Sequence, residues 1–296
     1  MRIAIGNGPG SLTGGVEVYL RRLIPELLKQ GHEVVLGYEL SPLPDEQKYW
    51  PGVIPSFDLS QGGPKGLDGF VGWGADLYFC HMMQQSGVWD RALASGPCLY
   101  FAHGYLVTCV SGRKYHRFPR IEVCQKQLGW PCLLHYLPRG CGGRNPLTML
   151  RQFRHRSGLL NRVRKCRLVV THSEHMQKEM SRHVGVEKVR QIHFCLPGLD
   201  SGGPIAERSG DTRKTILFLG RMVSAKGGDF LIRAIPFIDP EVRKSLRIVF
   251  AGDGSMKDNW SQLAAQVQER FPMVSIVLPT DKGSCNLAST FYLLDP

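Results

Sequence analysis

The 296-residue sequence contains no apolar run that approaches the roughly 18 residues needed for a membrane-spanning helix. Its first residues, Met-Arg-Ile-Ala-Ile-Gly-Asn, reach a glycine at position 6, too early for the apolar core of a signal peptide. The composition is globular, 43% hydrophobic and 21% charged. The length predicts one large or two ordinary domains. We therefore expect a cytoplasmic protein with reduced thiols.

Several functional motifs are also missing. The glycines near the start, at positions 6, 8, 10, 14 and 15, do not have the Gly-x-Gly-x-x-Gly spacing of a dinucleotide site. This spacing argues against a nicotinamide-dependent oxidoreductase. No RNP-like, zinc-finger or helix-turn-helix signature is found, so nucleic acid is not an expected partner.

Four cysteines, Cys109, Cys124, Cys132 and Cys141, lie in a segment, 104–146, that we interpret as an insertion. They are separated by 14, 7 and 8 residues and form no Cys-x-x-Cys pair, which is a weak metal signal. Two interpretations stay open: free thiols in a reducing compartment, which we favour, or ligands of a bound metal. We expect no metal site.

Acidic residues are scarce in one part of the chain. Residues 113–167 hold 14 Lys or Arg against one acid, Glu122, and so carry a net charge of +13. The whole chain has a net charge of +12, so the remaining residues sum to about −1. Such a basic segment predicts an anionic partner, either a membrane surface or an anionic acceptor, with nucleic acid less favoured. A solvated basic surface without a partner remains an alternative.

A βαβ unit opens the chain. The pattern predicts a strand over Arg2–Gly6, a glycine-rich loop, a helix over Val16–Gln30 and a second strand over His32–Tyr38. The loop would let a ligand approach the backbone amides of Gly14 and Gly15.

Two further strands are predicted over Asp76–Cys80 and Cys98–Ala102, and His103 follows the second directly. A polar residue at the carboxyl end of a buried strand faces the crevice where α/β sheets bind ligands. His103 is therefore a candidate site residue, although a capping or structural role is the alternative. The other elements predicted in this half are helices over Leu147–Lys165 and Glu174–His183, and strands over Arg167–Thr171 and Gln191–Leu196.

A second strand-loop-helix stretch starts the later half. A buried strand is predicted over Ile216–Leu219 and a helix over Phe230–Ile238, with Arg221, Lys226 and Gly227 between them. Backbone amides, a helix N-terminus and two cations form a suitable site for a diphosphate. The alternative is an ordinary turn with solvated cations.

The domain organisation follows from these patterns. We predict a Rossmann-like domain over 1–197, a linker over 198–213 and a second domain over 214–296. The second domain supplies three predicted strands, over Ile216–Leu219, Leu246–Ala251 and Val274–Leu278, whereas a doubly wound domain usually has about six. We therefore expect it to be incomplete.

Together these segments resemble the retaining GT-B glycosyltransferases, specifically glycosyltransferase family four, over nearly the whole chain. No single motif is specific, but their order and spacing are. The motifs are Gly14-Gly15-Val16-Glu17, Gly31-His32-Glu33-Val34, Phe101-Ala102-His103, Val169-Val170-Thr171-His172-Ser173, Phe218-Leu219-Gly220-Arg221 with Lys226-Gly227-Gly228, and Ala251-Gly252-Asp253-Gly254.

The resemblance implies an α/β protein of the GT-B fold, with two Rossmann-like domains and a nucleotide-sugar cleft between them. It implies transfer of the sugar, with retention at the anomeric carbon, to a hydroxyl of a sugar or lipid-linked acceptor. The absence of an Asp-x-Asp pair fits a mechanism without a metal or other cofactor.

The resemblance also implies roles for individual residues. Arg221 and Lys226, with Gly227, would hold the donor diphosphate. Gly14 and Gly15 would approach the donor phosphate or the acceptor, and Glu17 belongs to the same segment with a less defined role. His103 would act as the catalytic residue beside the transferred sugar.

One feature of the family is missing. Nothing after residue 212 has the Glu-x7-Glu spacing whose acids contact sugar and ribose in the family. We therefore expect a truncated chain whose activity is doubtful. The alternative function is a non-catalytic GT-B-like remnant that binds an anionic partner or membrane surface through 113–167, peripheral at the inner face of the membrane.

Overall fold

A computed structural model describes residues 1–10, 14–41, 54–193 and 213–278 of the chain. The chain divides into two compact units, Met1–Gly198 and Leu199–Pro296. Each unit holds a parallel sheet whose strands alternate with helices, so the expected α/β class is confirmed. Apart from Arg213, the predicted linker, 198–213, lies outside the described residues.

A sheet of seven parallel strands organises the first unit. In chain order the strands of this unit are β1 (Arg2–Pro9), β2 (Glu33–Leu40), β3 (Ser56–Asp58), β4 (Leu77–Cys80), β5 (Cys98–Ala102), β6 (Tyr115–His116), β7 (Glu122–Val123), β8 (Leu168–Thr171) and β9 (Val189–Gln191). The order across the large sheet is β3-β2-β1-β4-β5-β8-β9, while β6 and β7 form a separate antiparallel hairpin. The winding direction therefore reverses between β1 and β4, which is the topological switch point of a doubly wound sheet.

Six helices of the first unit cover this sheet or belong to the insertion. They are α1 (Gly15–Lys29), α2 (Leu67–Gly72), α3 (Ser86–Ser95), α4 (Pro131–Tyr136), α5 (Pro146–Lys165) and α6 (Glu174–Val184). Successive residues of β1 point to opposite faces of the sheet and pack in different apolar clusters. Ile3 and Ile5 pack with Leu20 of α1, whereas Ala4 belongs to the cluster that contains Leu160 of α5. The sheet is thus buried on both faces, as parallel sheets require.

Several predicted bounds were wrong. β1 continues through Pro9, because its pairing with β2 extends to Pro9 and Leu40. The strand predicted over Gln191–Leu196 begins earlier, since β9 pairs with β8 over Val189–Gln191. Residues 194–196 of that prediction lie outside the described part of the chain. Helices α2 and α3 were not predicted.

The insertion, 104–146, contains the β6–β7 hairpin and helix α4. Its apolar side chains form a small core with the start of α5, in which Tyr136 and Met149 are buried and Cys132, Cys141 and Phe153 are partly buried. The insertion is therefore packed on the main body of the first unit.

A buried ion pair also joins the insertion to α6. Lys114 Nζ lies 2.5 Å from Glu179 Oε1, and the two side chains are 4% and 5% exposed. Lys114 Nζ also donates to the carbonyl oxygen of Lys126 at 2.7 Å. His183 completes the contact: its Nε2 accepts from the backbone N–H of Leu128 at 3.0 Å. A buried charge left without its partner costs several kcal/mol, about 3–5 in comparable cases, so each side of this contact depends on the other.

The second unit has a smaller parallel sheet. Its elements are β10 (Lys214–Leu219), α7 (Gly228–Ala234), α8 (Pro240–Lys244), β11 (Leu246–Ala251), α9 (Lys257–Arg270) and β12 (Ser275–Val277). The strand order is β10-β11-β12, and the core contains Phe218, Phe250 and Trp260. The helix predicted to reach Ile238 ends at Ala234, where a 3-10 turn containing Pro236 follows.

Strand β10 is not buried as predicted. Within the described residues it pairs with β11 alone, and its side chain Leu217 is 59% exposed. A strand with one neighbour leaves part of its apolar surface to solvent, whereas the apolar sequence had predicted a buried strand.

None of the helices in the described residues is both long enough and apolar enough to cross a membrane.

Candidate functional site

Three histidines directly follow the carboxyl ends of neighbouring strands of the first unit. His81 follows β4, His103 follows β5 and His172 follows β8. Because β4, β5 and β8 are adjacent and parallel, these side chains share one edge of the sheet, beside the switch point. The predicted candidate His103 is thus the central member of a histidine cluster, which we define as His81, His103 and His172.

The rings of this cluster pack around Phe101. His103 stacks on Phe101 with the ring centroids 4.3 Å apart, and His81 is stacked at 5.7 Å on the same residue. Tyr19 of α1 has its ring centroid 5.9 Å from that of His103. Nδ1 of His81 and Nε2 of His103 are 2.8 Å apart, so one of the two rings donates a hydrogen bond to the other.

The cluster is held neutral. Burial, and secondarily the nearby His172, lowers the pKa of His103 from 6.5 to about 3. Burial also places the pKa of His81 well below its usual value, with His103 as a further cause. The pKa of His172 is lowered by burial as well. At neutral pH these rings can donate or accept hydrogen bonds but carry no charge.

The glycine segment before α1 is anchored to β1 by a buried polar contact. Asn7 Nδ2 donates to Glu17 Oε1 at 3.0 Å and to the carbonyl oxygen of Pro9 at 2.9 Å, and both Asn7 and Glu17 are buried. Gly14 is the N-cap of α1 and Gly15 its first residue. Gly15 is exposed, and a Cβ on it would meet none of the described residues within 4 Å. The first turn of a helix presents backbone N–H groups that can bind an anion.

The cationic loop of the second unit, which we define as residues 220–228, joins β10 to α7. Arg221 and Lys226 are both exposed, and within the described residues neither side chain makes an ion pair. Gly227 has a left-handed conformation, φ 71 and ψ 23, which allows the chain to turn into α7. Since α7 has only seven residues, the two full charges matter more here than the helix dipole.

The segment after β11, which contains Gly252 and Asp253, packs against the backbone of the cationic loop. The backbone N–H of Gly220 donates to Ala251 at 2.9 Å, and that of Met222 donates to Asp253 at 2.8 Å. Gly252 has φ 145, and a Cβ there would lie 2.0 Å from the carbonyl oxygen of Gly220. Only glycine fits this position, and the resulting contact fixes the backbone that carries Arg221.

Comparison with known proteins identifies the family. The sequence model for Glycosyltransferase Family 4 matches residues 13–200, which is more than half of the chain. The chain belongs to glycosyltransferase family 4. A second model, for glycosyl transferases group 1, matches residues 213–289. The resemblance inferred from the motifs is therefore confirmed at the level of the family.

Relatives of this family 4 chain are distant. An uncharacterized glycosyltransferase of Methanocaldococcus jannaschii is 41% identical over 64 residues, which are 22% of this chain and 16% of that protein. The structure of HepE from Anabaena with UDP and glucose has a TM-score of 0.54 at 16% identity, and the match covers 94% of this chain and 69% of that one.

Two further structures give the same fold. The trehalose-phosphate synthase (UDP-forming) of Burkholderia vietnamiensis has a TM-score of 0.54 at 12% identity, over 98% of this chain and 76% of that one. Starch synthase IV of Arabidopsis thaliana, bound to ADP and acarbose, has a TM-score of 0.52 at 14% identity, with coverages of 98% and 76%. At these identities the likeness shows the fold, GT-B.

Sequence reasoning missed part of the site of this family 4 chain. His81 occupies the same position after β4 as His103 does after β5, so the rule that selected His103 also selects His81. Asn7 was missed because β1 was predicted to end at Gly6. The packing of Tyr19 on the cluster has no sequence signal. Among the residues that the structure describes, no group of three His, Cys, Asp or Glu side chains could hold a metal ion.

Proposed function

We propose that this protein transfers a sugar from a nucleoside diphosphate donor to an acceptor hydroxyl, with retention at the anomeric carbon. The observation that carries the proposal is the cationic loop. Arg221 and Lys226 lie on a strand-to-helix loop whose backbone is fixed by Gly252, and both cations are exposed. A preorganised pair of cations stabilises the negative charge that grows on a departing diphosphate. Gly227 would permit close approach of the phosphates to the backbone.

The histidine cluster suits the other end of the donor. A sugar is uncharged and presents hydroxyl groups, for which a neutral imidazole is a suitable hydrogen-bonding partner. His103 would lie beside the transferred sugar. Because its pKa is lowered to about 3, it would act there as a neutral hydrogen-bonding group. The departing phosphate would accept the proton of the acceptor hydroxyl.

The first glycine segment would complete the site. Gly14 and Gly15 lie at the start of α1, where their backbone amides would bind a phosphate or an acceptor oxygen. Glu17 is held by Asn7 and would position this segment. The donor class is suggested by the structural neighbours, whose names include UDP with glucose, ADP, and UDP formation. The acceptor would be a sugar or a lipid-linked acceptor.

Nucleotide binding to the full chain tests this proposal. Titration calorimetry with UDP, ADP and GDP should detect binding of at least one, and Arg221→Ala and Lys226→Ala should each weaken it about tenfold or more, since charged hydrogen bonds contribute roughly 1.5–3 kcal/mol. Arg233→Ala is the matched control, because Arg233 is exposed on α7 and its removal changes the net charge equally.

Two outcomes would contradict the assignment. The first is equal affinity in Arg221→Ala, Lys226→Ala and Arg233→Ala. The second is an inverted anomeric configuration in the product, read by NMR once a donor and acceptor pair has been found among nucleotide sugars. The first outcome would remove the diphosphate site, and the second would remove the retaining mechanism.

An anionic membrane is a second candidate partner, for the segment 113–167. Exposed apolar side chains accompany its cations: Phe118 is 65% exposed, Trp130 69% and Leu147 76%. Exposed cations beside exposed aromatic and aliphatic side chains are typical of surfaces that lie on anionic lipid. The surface is smaller than the sequence suggested, because Lys114 is buried and Arg162 is paired with Asp90 at 2.7 Å.

Flotation with lipid vesicles tests this second candidate. Vesicles containing 1:1 phosphatidylglycerol and phosphatidylcholine should carry the protein upward at low salt, and vesicles of phosphatidylcholine alone should not. The double variant Arg117→Glu with Arg151→Glu should remove most of the binding, whereas Lys65→Glu with Lys178→Glu, exposed elsewhere on the first unit, should not. Binding that both pairs weaken equally would indicate only a general charge effect.

A further inference from the structure

His81 is the one member of the histidine cluster that is completely buried. Its exposed fraction is 0%, and Phe79 packs against it with the ring centroids 4.4 Å apart. Its backbone is fixed as well, since its N–H donates to the carbonyl oxygen of Gly6 at 2.8 Å. The side chain therefore has one orientation, with Nδ1 directed at Nε2 of His103.

The other ring nitrogen of His81, Nε2, is buried, and it makes no hydrogen bond to any residue that the structure describes. Burial also lowers the pKa of both His81 and His103, so the two rings are neutral and each carries one N–H. Two arrangements are possible for the 2.8 Å contact between them.

In the first arrangement, Nδ1–H of His81 donates to Nε2 of His103. His81 Nε2 is then a bare acceptor in an apolar environment, and His103 carries its own proton on Nδ1. In the second, Nε2–H of His103 donates to Nδ1 of His81, which forces the N–H of His81 onto the buried Nε2. Buried N–H groups without an acceptor are rarer in proteins than under-satisfied acceptors, which favours the first arrangement.

We propose that His81 is a positioning residue that donates through Nδ1 to His103 and so holds His103 as the Nδ1–H tautomer. His103 Nε2 then accepts this hydrogen bond, and the single proton of the neutral His103 ring stays on Nδ1. Free neutral histidine favours a proton on Nε2, so the buried neighbour reverses the intrinsic preference. If the protein has the proposed function, the Nδ1–H group of His103 donates a hydrogen bond to an oxygen of the sugar. Only this role of His103 rests on the proposed function.

The tautomer can be measured without a substrate. Long-range proton–nitrogen NMR spectra of the full chain, labelled with 15N at histidine, distinguish a protonated from a bare ring nitrogen, and His103→Gln assigns the signals of His103. In the unsubstituted protein we expect His103 to be protonated at Nδ1. In His81→Phe, which keeps a buried ring but lacks the donor, the protonated and bare resonances of His103 should exchange positions wholly or in large part.

Two more variants separate donation from packing. His81→Asn places an amide donor near the former Nδ1 and should retain the Nδ1–H tautomer of His103. Phe79→Leu alters the packing around His81 but removes no polar atom, so it should leave the tautomer unchanged. If His81→Phe does not fold, the spectrum of the unsubstituted protein still decides.

Protonation of His103 at Nε2 in the unsubstituted protein would overturn the proposal. So would a His103 signal in His81→Phe that is identical to the signal in the unsubstituted protein. These results are independent of nucleotide binding. A protein that shows the Nδ1–H tautomer but binds no nucleoside diphosphate would retain the inference about His81 and lose the proposed function.

Discussion

The histidine cluster of the first unit and the cationic loop of the second unit both follow strands of parallel sheets, but they differ in burial and charge. His81 is inaccessible and His103 is neutral at neutral pH, with a pKa of about 3. Arg221 and Lys226 are exposed and fully charged. The first region is maintained by ring packing and the second by close backbone contacts at glycines.

Under the proposed function, the cationic loop would bind the diphosphate of a nucleotide sugar and the histidine cluster would bind its sugar. An exposed cation keeps its hydration until a phosphate replaces it, and its attraction extends over about 10 Å at 0.1 M salt. A buried neutral ring acts only at contact distance, through hydrogen bonds and shape. The cationic loop is therefore expected to provide affinity, and the histidine cluster is expected to discriminate between sugars.

The largest expected effect concerns the glycines beneath the cationic loop. Gly252→Ala should destabilise the second unit by about 3 kcal/mol, because the added Cβ meets the carbonyl oxygen of Gly220 and the residue has positive φ. Gly220→Ala is the matched variant: its φ is also positive, at 151, but a Cβ there meets nothing within 4 Å, so about half that cost is expected. Hydrogen exchange should show faster exchange in β10 and β11 but not in β4 and β5. Equal effects of the two variants would contradict the proposed contact.

Acid should destabilise the first unit. His103 has a folded-state pKa of about 3 against an ordinary value of 6.5, so between these pH values the unfolded chain binds a proton that the folded chain does not. Stability is then lost as pH falls, by at most about 1.4 kcal/mol per pH unit for this group, with further losses from His81 and His172. Urea unfolding at pH 7, 6 and 5 measures this slope.

His103→Asn should flatten that slope because it removes one of the titrating groups. A control in the second unit is Lys244→Gln, which removes an exposed charge and should leave the slope unchanged. An unaltered slope in His103→Asn would show that His103 is not buried as a neutral ring.

Salt concentration should affect ligand binding by the cationic loop but not by the histidine cluster, and this effect is smaller than the two above. Raising NaCl from 50 to 500 mM is expected to weaken binding of a nucleoside diphosphate about fivefold, since exposed cations are screened. His103→Gln should reduce the preference for a nucleotide sugar over the free diphosphate by a similar factor at both salt concentrations. A salt-dependent effect of His103→Gln would contradict the assignment of separate roles.

The smallest effect is expected at the start of α1. Gly15→Ala should leave the fold intact or stabilise it by roughly 0.5 kcal/mol, because the site is open and alanine is the better helix former. Ligand binding should nevertheless weaken, since the new methyl group covers the approach to the backbone amide. Thermal unfolding and calorimetry on the same sample measure both; unchanged affinity would remove Gly15 from the binding site.

The sequence predicted most of the strands because a buried parallel strand is a short apolar run with clear ends. β5 and β11 were predicted at their observed bounds, Cys98–Ala102 and Leu246–Ala251. Helices α2 and α3 were missed because Leu67–Gly72 is short and contains two glycines, and the segment around Ser86–Ser95 was not assigned.

The candidate site was predictable where position after a strand carries the information. The rule that a polar residue directly after a buried strand faces the ligand crevice selected His103. The strand that ends at Cys80 is followed by His81, so the same rule selects His81. Contacts between distant segments have no such signal in the sequence. The stacking of His81 on Phe101 and the close contact of Gly252 with Gly220 arise from tertiary packing. The ligand roles of Arg221, Lys226, Gly14, Gly15 and Glu17 stay predictions.

The buried pair between Lys114 and Glu179 has a consequence for building chimeric proteins from this chain. The two residues lie on opposite sides of the junction between the insertion and the main body, and they are 4% and 5% exposed. A graft that exchanges the insertion with that of another protein must carry both residues, or replace both with apolar side chains of similar volume. Transferring one alone would leave an unpaired charge in the interior, so an exchange of this segment requires that α6 is exchanged with it or altered at Glu179.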